Sequence, residues 1–141
     1  MTNGLRTIAV GFDGSRPAEE AVSWTLALAD ATGADVVIVH AVGLLEHLAE
    51  TDVTLELDVA VRRLALRVGF DPDRIRWHVA DGDACSVLIR CAGEPTNAEL
   101  LVVGSRGRNA HAGLLLGSTS LQLAERSSVP LVIVPSERDA S

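Results

Sequence analysis

The sequence predicts an α/β protein with a doubly wound, five-stranded parallel sheet and four helices. Three observations carry this. Short apolar, β-branched runs recur five times, segments of helical periodicity stand between them, and Gly, Asp or Ser punctuates the changes from one to the other.

The first run, Thr7 to Phe12, stops at Asp13-Gly14-Ser15, and Pro17, Glu19 and Glu20 then occupy what reads as the first turn of a helix. That helix is predicted over Pro17 to Thr32, with Trp24 and Leu28 on one stripe, Val22, Leu26 and Ala29 beside it, and Gly33 as its stop. Val36 to Val39 is a continuous β-branched run, as in a parallel strand covered on both faces, and a helical pattern follows from Val53 to Val68. Ile75 to Val79 makes a third strand. Ala84 to Ala92 makes a third helix, with Asp83 as its N-cap, and Leu100 to Val103 a fourth strand. A glycine-rich loop, a helix from Thr119 to Ser127 and a fifth strand from Leu131 to Val134 complete the alternation. No longer repeat, low-complexity tract or linker interrupts it, and only the last six residues read as frayed.

A chain of 141 residues with 48% hydrophobic content suits one domain spanning residues 1–141. Its longest apolar runs are too short to cross a bilayer, and the N-terminus lacks a signal-peptide hydrophobic region. The expected location is therefore cytoplasmic, with no membrane partner. Twelve basic residues against 19 acidic ones give a net charge of −7, and no basic stripe gathers, so nucleic acid is not an expected partner. All the basic residues are Arg. The absence of Lys removes both a Walker A loop and Schiff-base chemistry. Cys85 and Cys91, six residues apart, are expected on different faces of one helix, as reduced packing residues rather than a disulfide or metal pair.

The most informative stretch is Gly104-Ser105-Arg106-Gly107, nine further residues, then Gly117-Ser118-Thr119-Ser120 at the start of the fourth helix. A phosphate is held by close-approaching backbone N–H groups, a helix N-terminus and short hydroxyl donors, and this segment offers all three. Gly104, Gly107 and Gly117 permit backbone approach, Ser118 and Ser120 can donate hydroxyl hydrogen bonds, and Arg106 and Arg108 add positive charge. The same spacing also fits a plain glycine-rich loop with Ser118 as an ordinary N-cap. It is neither a Walker A nor a G-x-G-x-x-G fingerprint.

The spacing Gly104-x-x-Gly107-x9-Gly117-Ser118 resembles the G-2x-G-9x-G-[ST] ATP-binding signature of the universal stress protein family. The segments Val10-Gly11-Phe12-Asp13-Gly14-Ser15, Val39-His40-Ala41, Gly82-Asp83-Ala84 and Val129 to Pro135, together with Trp24, resemble that family as well. The resemblance covers essentially the whole chain. It implies a Rossmann-like sheet of order 3-2-1-4-5, in which strands one and four adjoin and their following helices pack on opposite faces. Ligands bind outside the strand C-termini at such a switch point, where Asp13 and Gly104 would converge.

By matching positions, the resemblance implies an adenine-nucleotide site, for ATP with Mg2+. It is built from Gly11, Asp13, Ser15, Ala41, Val103, Gly104, Arg106, Gly107, Gly117, Ser118, Thr119 and Ser120. Asp13 would face the ribose or the hydrated metal, Ala41 and Val103 would line the adenine slot, and Gly104, Gly107 and Gly117 to Ser120 would hold the phosphates. Asp13 can equally serve as a cap on helix one, and both roles can coexist. Two positions depart from the family pattern: Thr119 stands where valine is frequent, and Asn109-Ala110 replaces glycines, which would stiffen the loop. The resemblance also implies a homodimer through the last strand, since an uncovered apolar edge strand invites pairing.

The implied role is a regulatory module that binds ATP in the stress response. No catalytic residue is assigned, because apart from Asp13 and the nearby arginines the loop offers no evident general base, and any ATPase activity should be slow. A dimeric interaction module with a vestigial pocket is the alternative, and an adenylating enzyme would need residues beyond those present. His40, His47, His78 and His111 lack metal-ligand spacing, so no metal site of their own is expected. His40 fits either a structural or a ligand-facing role. Asp81 and Asp83 fit turn and cap chemistry, and Glu46, Glu50, Asp52, Glu56 and Asp58 a solvated face.

Overall fold

The computed structural model describes residues 4–43, 53–106 and 116–136. Among these residues five strands alternate with four helices. They are β1 (Thr7–Gly11), α1 (Arg16–Thr32), β2 (Asp35–Val42), α2 (Val53–Val68), β3 (Ile75–Asp81), α3 (Ala84–Cys91), β4 (Leu100–Gly104), α4 (Ser118–Arg126) and β5 (Leu131–Val134), with a 3-10 turn at Pro72–Arg74. All strand pairs are parallel, in the order β3-β2-β1-β4-β5. This is the sheet order that the family resemblance implied.

Side chains alternate across the central strands, so each strand feeds two apolar layers. Ile8, Val10, Val36, Ile38, Leu100 and Val102 pack beneath α1 and α2, against Val22, Leu26, Val61 and Leu64. Ala9, Val37, Val39, Leu101 and Val103 face the other way, onto Val87, Leu88 and Leu123 of α3 and α4. Parallel strands buried on both faces read as unbroken apolar runs, which is why the sequence located them.

Helix α1 begins where Ser15 leaves the extended region, and the Ala18 N–H donates to its Oγ at 3.3 Å. It ends at Gly33, whose φ of 81° is the left-handed conformation a residue without Cβ adopts most readily. Its buried face comprises Ala18, Ala21, Val22, Thr25, Leu26 and Ala29, whereas Trp24 is exposed. The stripe through Trp24 is therefore not the core stripe. The sheet needs small residues where α1 crosses it, and Ala21, Thr25 and Ala29 supply them.

Strands β2 and β3 run further than their apolar cores suggest. Their polar ends pair in register, His40 with Val79 and Val42 with Asp81. Cys85 and Cys91 are both free and both buried in the layer beneath α3 and α4, so that helix is enclosed on more than one face. Burial pushes the Cys91 thiol above its ordinary pKa, which keeps it protonated and unreactive.

Candidate functional site

Reversal of strand order between β1 and β4 opens a crevice at their C-terminal ends, because α1 covers one face of the sheet and α4 the other. Three short segments meet there: the turn after β1, the end of β4, and the start of α4.

In the first, Asp13 lies two residues beyond β1, and its Oδ1 accepts the Ser15 N–H at 2.9 Å. Ser15, not Asp13, caps α1. The carboxylate thus shapes the turn that presents the helix, in the manner of an Asx turn. Beside it, His40 is buried, with Nδ1 3.0 Å from the Phe12 carbonyl oxygen, a contact that ties the end of β2 to the same turn.

In the second, Gly104 is the last residue of β4. A Cβ there would lie 2.8 Å from the Pro17 carbonyl oxygen and 3.3 Å from that of Arg106. The requirement for glycine comes from the first turn of α1, which presses directly on the strand end. Ser105 follows as a buried junction. Its N–H donates to the Val134 carbonyl at 2.9 Å, its Oγ accepts the Ser136 N–H at 3.3 Å, and its carbonyl accepts the Gly117 N–H at 2.6 Å. Arg106 is half-buried immediately beyond.

In the third, α4 opens at Ser118 with Gly117 as N-cap, one residue earlier than the sequence suggested and without Ser118 in the capping position. Gly117 has no side chain to offer, and no hydrogen bond to the N–H groups of Ser118, Thr119 or Ser120 occurs among the described residues. The buried Ser120 hydroxyl donates to the Gly104 carbonyl at 3.0 Å. That bond clamps the helix start to the strand end. Ser118 is exposed and Thr119 half-buried at the mouth.

Gly11, Ala41 and Val103 lie on the α3/α4 face of three adjoining strands. A Cβ on Gly11 would meet Leu88 Cδ1 at 3.1 Å and Val103 Cγ1 at 3.5 Å, so its lack of a side chain serves packing. Val103 is buried, and Ala41, nearer the strand end, is half-buried. Gly107, Arg108, Asn109, Ala110 and His111 lie outside the described residues, as do His47 and the acidic residues Glu46, Glu50 and Asp52. Sequence reasoning missed Ser105 as a junction and Pro17 as the reason for Gly104. Neither leaves a signal in spacing, because both arise from contacts between distant segments.

The start of α4 can therefore receive an anion, because three backbone donors there have no partner among the described residues and the helix dipole favours negative charge. Among the described residues, no group of three or more His, Cys, Asp or Glu is arranged to hold a metal ion, and no helix is long and apolar enough to cross a membrane.

A model of the universal stress protein family matches residues 4–135. A universal stress protein of Mycobacterium tuberculosis is 31% identical over 147 aligned residues, covering 96% of this chain and 50% of its own length. The chain thus spans about half the length of that relative. A universal stress protein of Thermus aquaticus is 31% identical, covering 92% of this chain and 98% of its own. Among solved structures, a universal stress protein in complex with cAMP superimposes with a TM-score of 0.75 at 28% identity, covering 94% of this chain and 98% of its own. The chain belongs to the universal stress protein family.

Proposed function

We propose that this chain is an adenine-nucleotide-binding regulatory protein of the stress response, with ATP and Mg2+ as its ligand. The observation that carries the proposal is the start of α4: a helix N-terminus without a side-chain cap, opening on the crevice between β1 and β4. The cAMP complex of a relative at 28% identity supports the adenine class.

In this reading the N–H groups of Ser118, Thr119 and Ser120 donate to phosphate oxygens, and the Ser118 and Thr119 hydroxyls add donors of their own. Arg106 contributes charge at the rim. Gly104 and Ser120 act through each other, holding the helix start against the strand, and Gly107 belongs to the same phosphate loop. Asp13 accepts a hydrogen bond from a ribose hydroxyl or from water on the magnesium ion while it shapes the turn that Ser15 caps. Ala41, with Val103 and Gly11 behind it, offers an apolar surface to the base. Among the described residues no general base stands at the phosphate end, which supports binding as the function, with turnover slow at most.

The protein acts in the cytoplasm as a single domain and pairs through β5. That strand's outer edge has no strand neighbour among the described residues, and its Leu131, Val132 and Ile133 are only half-buried. A second reading, a dimeric interaction module with a relict pocket, is favoured by the Gly117 N–H and Ser120 hydroxyl, which are already bonded internally.

Calorimetric titration of Mg-ATP, ADP and cyclic AMP into the wild type and Gly117→Val decides between the two. Gly117 has φ −77° and ψ 167°, so valine is tolerated by the backbone while its branch obstructs the mouth. Saturable binding to the wild type with a loss of tenfold or more in the variant establishes the site. A folded wild type that takes up no nucleotide overturns it in favour of the interaction module.

A further inference from the structure

The outer face of α2 carries an apolar stripe that the nucleotide site does not use. This helix buries Leu57, Val61, Leu64 and Ala65 against the sheet, yet Leu55, Val59 and Leu66 are 66%, 55% and 80% exposed. Single exposed apolar residues are ordinary, but these three are aligned. At 100° per residue they fall within about 40° of one another, along about 16 Å of helix. Arg62 lies on the same line. Asp58 Oδ2 accepts from its Nε at 2.8 Å, so the guanidinium is turned aside and the aliphatic stem continues the stripe.

The charges beside the stripe are ordered along the helix. Glu56 stands towards the N-terminal end, and Arg63 and Arg67 towards the C-terminal end, all exposed and all on the same flank, about 80 to 120° round from Leu55. A surface that is acidic at one end and basic at the other complements itself when reversed.

We infer that α2 docks on the α2 of a second copy of this chain in an antiparallel pair. A twofold axis between residues 60 and 61 sets Leu55 opposite the partner's Leu66 and Val59 opposite the partner's Arg62 stem. In an antiparallel pair the same flanks face each other, so Glu56 falls between the partner's Arg63 and the partner's Arg67, about 3 Å along the axis from each. A parallel pair would bring opposite flanks together, so Glu56 would face neither the partner's Arg63 nor the partner's Arg67. Charge order thus selects both the orientation and the partner. The contact lies on the layer formed by α1 and α2 and is independent of pairing through β5. It adds a twofold step in mass whichever state β5 provides.

The test is sedimentation equilibrium on the full chain. Leu66→Glu halves the mass of the assembly, with its circular dichroism unchanged. Glu56→Arg makes the flank wholly basic, and the double variant Arg63→Glu with Arg67→Glu makes it wholly acidic. Each dissociates alone, by tenfold or more in dissociation constant, and mixing the two restores wild-type mass. A mass indifferent to Leu66→Glu overturns the inference. So does a mixture of the charge variants that fails to reassociate, including the case in which the face serves a different partner.

Discussion

Helices α3 and α4 both begin at the C-terminal ends of parallel strands and pack on the same face of the sheet, yet their N-termini are finished in opposite ways. At α3, Asp83 accepts the Ser86 N–H at 2.9 Å and the Ser86 hydroxyl at 2.8 Å, and these bonds hold its carboxyl below the usual aspartate range. At α4, Gly117 offers nothing, and the first three N–H groups have no hydrogen-bond partner among the described residues. One end is closed by the protein's own carboxylate, and the other carries no side-chain cap. The difference teaches that a missing cap can mark function: a cap strengthens a helix, so its omission at the switch point is informative where its presence on α3 is routine.

Substitutions around these two ends can break or sharpen the contrast. The largest effect is expected from Gly104→Ala, because its methyl must displace the Pro17 carbonyl from 2.8 Å. Overpacking of this kind costs about 1–3 kcal/mol, read as a fall in Tm of about 3–10 °C. A Tm within a degree of the wild type would show that α1 slides away freely and does not brace the mouth. Next comes Asp83→Ala, which removes a working cap and lowers Tm by about 2–5 °C while leaving nucleotide affinity unchanged.

That stabilisation is also pH-dependent. The folded value lies below the ordinary 3.8, so the contribution of Asp83 is complete above that pH and is lost as pH falls through the lowered value. The Tm difference between wild type and Asp83→Ala should be full at pH 6 and shrink below about pH 4. The smallest change in stability is expected from Gly117→Asp, which copies the α3 arrangement onto α4. It raises stability by only about 0.3 kcal/mol, since glycine is itself a fair cap, but the new carboxylate repels phosphate and weakens Mg-ATP binding by about tenfold or more. Unaltered affinity would place the phosphates elsewhere.

The sheet was legible because each strand is an apolar run ended by a polar or small residue, and β5 was located at both ends. The helices were legible to within a residue or two wherever a local device marks them, as Ser15 and Gly33 mark α1 and Asp83 marks α3. Strand ends were underestimated at His40 and Asp81, where register, not hydrophobicity, continues the pairing. Periodicity placed Trp24 and Leu28 on one stripe without showing that the buried face lies beside it, at Ala21, Val22, Thr25, Leu26 and Ala29.

The site was legible as a motif but not as a mechanism of assembly. The glycine spacing located both the strand end and the helix start. It gave no hint that Gly104 answers to Pro17, or that Ser120 clamps Gly104. Those contacts join positions 87 and 16 residues apart, beyond the reach of local pattern.

Ser105 has a consequence for how this fold can diversify. One residue anchors the end of β4 to β5 through Val134 and Ser136, and receives the returning chain at Gly117. The connection between Arg106 and Leu116 therefore leaves from and comes back to a single fixed point. Lengthening a loop between fixed ends costs only about 0.6 kcal/mol per doubling. The connection is thus a cassette, in which insertions or deletions are expected to leave the register of the sheet intact.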